Sequence, residues 1–171
     1  MSHWTDYREL AARQTAEQFA ADAPDRFLLK RPRATPTVSA PPANISFKTT
    51  FARSQVDPFA NEWVLLPVEK RAGNPYPDRL SIGRATNCDI VLRVPFVSKV
   101  QAHLLKQADG SFAVQDNQAA NPTHLNWRPL SPHEPHPIAL GDVISFGPMD
   151  FELIDPSRLH ALLRGELGSH R

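Results

Sequence analysis

Glycine is missing from the first 72 residues; all 7 glycines lie at Gly73 or later. The opening of the chain therefore lacks the residue that tight hairpins use most. Cysteine occurs once, as Cys88, which excludes an internal disulfide and any cysteine-built zinc site. No apolar run approaches the ~20 residues of a membrane-spanning helix, so no membrane insertion is expected. An excess of one charge is lacking too: 19 Lys and Arg face 18 Asp and Glu, a formal net charge of +1. That balance argues against a nucleic-acid partner, so any bound anion must be caught by a few placed groups. Met1–Leu10 carries Asp6 and Glu9 without an apolar core, so no secretory signal is expected. The expectation is a soluble, reduced, cytoplasmic protein.

Proline is abundant instead, with 17 in 171 residues, about twice the usual ~5%. Trp4 to Ala23 reads as one helix, rich in Ala, Glu and Gln, with Trp4, Tyr7 and Ala11 on one face and Pro24 as its stop. Such a short amphipathic helix needs a partner surface, which makes the N-terminal segment a candidate for self-association. Arg31 to Pro58 reads as a linker, with extended backbone around Pro32, Pro36 and Pro41-Pro42. Basic residues precede Thr35-Pro36 there, a pattern suited to a kinase substrate.

From Glu62 onward, short apolar stretches alternate with turn signals. Trp63–Leu66, Arg79–Ile82, Asp89–Leu92, Ala102–Lys106, Ser111–Gln115, His124–Asn126, Pro137–Leu140, Val143–Phe146 and Phe151–Ile154 all read as strands. Their spacing of roughly 8–12 residues indicates an all-β antiparallel sandwich or barrel. A C-terminal helix follows from Pro156 to Leu167, capped by Asp155 with Pro156 in its first turn. The expected organisation is a helical segment over 1–30, a Pro-rich linker over 31–60, a β domain over 61–155, and a helix and tail over 156–171.

Four pieces sit on the loops between these strands. They are Gly83-Arg84 with Asn87-Cys88-Asp89; Val97-Ser98-Lys99-Val100-Gln101; Asp116 with Asn121-Pro122-Thr123-His124-Leu125-Asn126; and Gly141-Asp142 with Gly147. In this order they resemble the forkhead-associated (FHA) domain over about Trp63 to Ile154. The resemblance implies an FHA/SMAD-like β-sandwich of about eleven strands whose apical loops bind phosphothreonine peptides. It implies a non-catalytic adaptor in Ser/Thr kinase signalling, of the stand-alone bacterial type. Its partner would be a phosphothreonine-containing protein or the kinase itself, and no cofactor or metal is implied.

Carried over residue by residue, Arg84 and Ser98 hold phosphate, Lys99 assists, and Asn121 fixes the peptide main chain with Thr123 beside it. Gly83, Gln101, Asn126, Gly141 and Asp142 are structural. The chemistry agrees. Phosphothreonine carries about −1.5 to −2 charges, and a guanidinium fork matches its oxygens and never loses its charge. Charge-assisted hydrogen bonds contribute roughly 1.5–3 kcal/mol each, so two or three give useful affinity.

The chain departs from the family pattern at four points, one of them Trp127, which stands where a second glycine is common. Gln101 stands where the family has His, Ala120 replaces a hydroxyl residue, and Pro122 replaces the glycine after Asn121. They leave open a second reading, a phosphate-independent FHA-fold scaffold with a degenerate pocket. Arg84 could also serve as an ion-pair partner of Asp89. Ser98, His103 and Asp116 do not make a hydrolase, since no strained strand-to-helix elbow surrounds Ser98. His133-Glu134-Pro135-His136 reads as a loop whose prolines forbid the helix on which paired histidines converge on a metal.

Overall fold

The computed structural model of the chain describes residues 4–33 and 56–165. Thr35, Thr37 and most of the expected linker lie outside the described residues.

Two sheets pack face to face. The first runs β2 (Val64–Pro67), β1 (Phe27–Lys30), β11 (Met149–Ile154), β10 (Val143–Phe146), β7 (His124–Leu125) and β8 (Arg128–Pro129). The second runs β4 (Ile90–Val91), β3 (Arg79–Gly83), β5 (Ala102–Lys106), β6 (Phe112–Asp116) and β9 (Pro135–Ile138). All pairs are antiparallel except β3 with β4, where Ile82 lies beside Ile90. Among the described residues this is an all-β sandwich of eleven strands, as the resemblance implies.

Between the sheets, Ile82, Leu104, Val114, Ile144, Phe146 and Phe151 form the core, all fully buried. Each alternates with outward residues along its strand, the period of 2 that made these strands readable.

The N-terminal region corrects the sequence reading twice. The single helix expected over Trp4–Ala23 is two, α1 (Trp4–Arg13) and α2 (Ala16–Asp22). Thr15 accepts from the backbone N–H of Gln18, and the Gln18 side chain accepts from the backbone N–H of Thr15, a capping box that starts α2 afresh. Secondly, residues 27–30 belong neither to a helical segment nor to a linker. They form β1, an interior strand hydrogen-bonded to both β2 and β11.

Strand β1 is buried on both faces. Leu28 points into the sandwich, while Phe27 and Leu29 join Leu65 and Ile154 against the helices. A four-residue strand without alternation has no period to betray it. The helices α1, α2 and α3 (Pro156–Leu163) cover that outer face. Asp155 caps α3 by accepting from Arg158 N at 2.8 Å, with Pro156 in the first turn, as expected. The apolar face of α1 is spent inside the molecule: Tyr7 meets Phe27 and Phe19 edge-on, and Trp4 stacks on Trp63 at 4.6 Å. Burial, with Glu69 and Asp6 nearby, pushes the Tyr7 phenol up to about 12.

A buried ion pair joins β1 to the chain beyond residue 55. Lys30 Nζ lies 3.1 Å from Asp57 Oδ2, both side chains at most 3% exposed, and donates to the Phe59 carbonyl at 2.7 Å. The residues around Asp57 are thus docked on the first sheet, not part of a free linker.

Pro135 stands in β9, an edge strand, where a loop was expected, and Pro137 lies in the same strand, as expected. Proline is tolerated at an edge because only one side of the strand must donate to the ladder.

Candidate functional site

Three loops meet around Gln101: the β3–β4 loop, the β4–β5 loop and the β6–β7 loop. The first two are laced by their backbones, Arg84 N donating to Ser98 O at 2.9 Å and Ala85 N to Lys99 O at 3.0 Å. The approach demands glycine at position 83, because a Cβ there would sit 2.2 Å from the Lys99 carbonyl oxygen.

Arg84 is exposed, yet its side chain is fixed. Its Nε donates to the Val97 carbonyl at 3.0 Å. The two terminal amino groups have no hydrogen-bond partner among the described residues. Asp89, the alternative partner for this guanidinium, is engaged elsewhere. Its carboxylate accepts from Arg71 N, Asn74 Nδ2, Ser81 N and Ser81 Oγ, and lies 3.6 Å from Lys70 Nζ. Burial opposes its charge, but these hydrogen bonds and Lys70 prevail and hold the carboxyl below its ordinary range. The ion pair between Arg84 and Asp89 does not form.

Ser98 is half-buried, its backbone N–H donating to Gln101 Oε1 at 3.0 Å. Its hydroxyl oxygen accepts from Ala120 N at 3.2 Å, which leaves the hydroxyl proton free to be donated. Lys99 is exposed, and its ammonium makes no ion pair among the described residues.

Asn121 is half-buried and donates through Nδ2 to the Phe96 carbonyl at 2.9 Å. One of its two amide N–H groups is therefore engaged within the protein, leaving the other and Oδ1 open. Thr123 needs correction. It is fully buried, its backbone N–H held by Asp116 Oδ1 at 2.9 Å and its hydroxyl accepting from Gln101 Nε2 at 3.1 Å. A side chain with no exposed surface cannot touch a peptide, so Thr123 is a brace.

Gln101 ties the loops together. It is 1% exposed and uses both ends of its amide: Oε1 accepts from Ser98 N, while Nε2 donates to Asn121 O and Thr123 Oγ1. An uncharged amide suits such a buried position, since both its donors and its acceptor are matched. The other three structural residues hold other turns. Asn126 pairs with Val143 through backbone and side chain and donates to Asp142 at 3.2 Å. Asp142 accepts from Ala139 N, beside Gly141 at φ +92°.

The remaining chemical groups fall outside any triad. Asp116 is buried, its oxygens accepting from Thr123 N and Ala119 N, a bracing role the sequence did not disclose. Cys88 Sγ donates to the Lys99 carbonyl at 3.3 Å, and burial raises its thiol. Among the described residues no group of three His, Cys, Asp or Glu is placed to hold a metal. What the loops present is a fixed, unsatisfied guanidinium, a hydroxyl with its proton free and an ammonium, a set suited to holding an anion.

Residues 80–147 match the model of the FHA domain. Among solved structures, the FHA domain of CT664 from Chlamydia trachomatis is 21% identical, with 76% of this chain and 97% of that chain covered and a TM-score of 0.48. The N-terminal FHA domain of Rad53p from S. cerevisiae, solved in complex with a phosphothreonine peptide, is 21% identical over 55% of this chain and 78% of that one, at a TM-score of 0.44. Mycobacterium tuberculosis EmbR, in complex with a low affinity phosphopeptide, is 22% identical over 46% of this chain, at a TM-score of 0.42. The match spans only 20% of the EmbR chain. No curated protein matches the sequence.

Proposed function

We propose that the FHA domain this chain carries over residues 80–147 receives a phosphothreonine-bearing segment of a partner protein and performs no chemistry on it. One observation carries the reading. Arg84 is anchored through Nε alone, with both terminal amino groups unspent, while its backbone is paired to that of Ser98. A preorganised guanidinium binds phosphate without first losing side-chain freedom. Ser98 Oγ and Lys99 add a donor and a positive charge from the adjoining loop, and Asn121 Oδ1 accepts from the peptide backbone.

The partner class is a phosphothreonine protein or a Ser/Thr kinase, and the compartment is the cytoplasm. Self-association through the N-terminal segment would need surfaces other than Tyr7 and Phe19, which are committed to the protein's own interior.

Titration with a degenerate phosphothreonine peptide library tests the reading. Phosphorylated peptides bind and their bare counterparts do not. Arg84→Ala abolishes that binding while costing about 1 kcal/mol of stability or less, the worth of one exposed hydrogen bond. Equal binding of phosphorylated and bare peptides would reject the reading in favour of a phosphate-independent scaffold.

A further inference from the structure

A cleft of about 580 Å³ opens beside the β3–β4 loop on the outward side of the second sheet. Arg71, Arg79, Ser81, Asn74, Asn87 and His103 contribute to its lining. Ser81 and His103 stand opposite each other on β3 and β5. Thr86 and Asn87, two and three residues beyond Arg84 in the chain, also line it.

Arg79 is the unusual member. Its guanidinium lies 5.2 Å from the Tyr76 ring, and its Nε is shielded from solvent without a hydrogen bond. Asp78 Oδ1, on an exposed side chain, lies 4.0 Å from that Nε. The two terminal amino groups of Arg79 have no hydrogen-bond partner among the described residues, and the side chain is 43% exposed, so they are open to a ligand. Asp89, the acid behind the cleft, is already saturated by Ser81, Arg71, Asn74 and Lys70.

We infer that this cleft is a second anion site, which takes an additional phosphoryl or carboxylate group carried by the same peptide that docks at Arg84. The inference rests on the function proposed above only for the identity of the peptide. Arg79 supplies the unspent donors, and Arg71, one of whose terminal nitrogens donates to the Thr86 carbonyl, adds a second positive charge. The field inside agrees. Burial lowers the His103 imidazole below its ordinary range, and Arg79, His133 and Lys70 lower it further, with Asp89 alone opposing. His103 is consequently neutral at pH 7 and reports any anion that enters.

The test has two arms. In the first, inorganic phosphate is added to the full chain and the His103 ring resonances are followed through a pH titration. Phosphate moves the His103 midpoint upward, and Arg79→Gln or Arg71→Gln removes the movement. An unmoved midpoint in the unaltered protein overturns the site, whatever the fate of the Arg84 reading. In the second arm, a singly phosphorylated peptide is compared with versions carrying a further phosphothreonine or glutamate at stepped spacings on either side. At one spacing the unaltered protein gains about tenfold in affinity, the worth of one charge-assisted contact. Arg79→Gln loses that gain while binding the singly phosphorylated peptide as before. A gain that survives Arg79→Gln and Arg71→Gln, or no gain at any spacing, overturns the pairing of the two sites. Failure of every phosphorylated peptide to bind would reject the Arg84 reading and, with it, the peptide as ligand.

Discussion

Gln101 Nε2 donates to the carbonyl of Asn121 at 2.8 Å across 20 positions of chain, and through that contact the β6–β7 loop takes its place beside Ser98. Gln101→Ala removes both ends of this tie and leaves Ser98 N and Asn121 O without their partner. The expected loss is about 2–3 kcal/mol of stability by urea unfolding, the cost of orphaned buried polar groups. Phosphopeptide affinity falls at least tenfold as the loops lose register, while Arg84 itself is untouched. Unaltered affinity would show that the loops hold their places by packing alone.

Gly83→Ala drives a methyl group into the Lys99 carbonyl, 2.2 Å from the new carbon. The obstacle is backbone, which cannot rotate away, so β3 and the β4–β5 loop must separate. A loss of about 3 kcal/mol is expected, at the upper end of ordinary overpacking. Thermal unfolding checks it, and the variant also weakens phosphopeptide binding, because Arg84 and Ser98 share that seam.

Lys30 and Asp57 make opposite predictions singly and together. Lys30→Ala or Asp57→Ala leaves one buried charge uncompensated and costs about 3–5 kcal/mol. Lys30→Met combined with Asp57→Leu removes both charges and retains volume, and its stability returns to within about 1–2 kcal/mol of the parent. Denaturant midpoints of the three variants decide the matter. A double variant as unstable as either single one would mean that the pair contributes specific structure beyond charge balance.

Asp89 links stability to pH. Its carboxyl is held below the ordinary range in the folded protein, whereas the unfolded chain titrates near ~3.9. The stabilisation is therefore fully present above the unfolded value and is lost as pH falls through the folded one. Asp89→Asn costs about 2 kcal/mol at pH 7, and the gap to the parent shrinks below about pH 4. Urea unfolding from pH 3 to pH 7 measures it, and a gap independent of pH would assign the effect to lost geometry instead of lost charge.

The parts of the fold legible in the sequence are those with one wet face. Arg79–Ile82 and Ala102–Lys106 alternate and are bounded by turns, and both lie in strands. Phe27–Lys30 escaped because helices cover one side of it and the sandwich the other, so every position is buried. Arg128–Pro129 escaped for the opposite reason, since both residues are exposed and carry no apolar signal. The break after Arg13 was written in the sequence as Thr15 followed by Gln18, but the surrounding alanines masked it.

At the candidate site, residue types and order pointed to Arg84, Ser98 and Asn121, whereas hydrogen-bond partners depend on three-dimensional juxtaposition. Thr123 shows the limit: a hydroxyl beside the loop suggested contact with a ligand, and its depth in the core is invisible in one dimension. Lys30 and Asp57 lie 27 positions apart, with prolines between them, and nothing local announces their pairing.

That pairing also changes how the intervening sequence can be used. Lys30 meets Asp57, and Arg33 N donates to the Ala60 carbonyl at 2.7 Å, so departure and return points are fastened side by side. Closure entropy grows by only about 0.6 kcal/mol for each doubling of an excursion between such fixed feet. The position is a natural graft point: a reporter or a whole second module could be spliced there, and the framework bearing Arg84 would carry it at little thermodynamic cost.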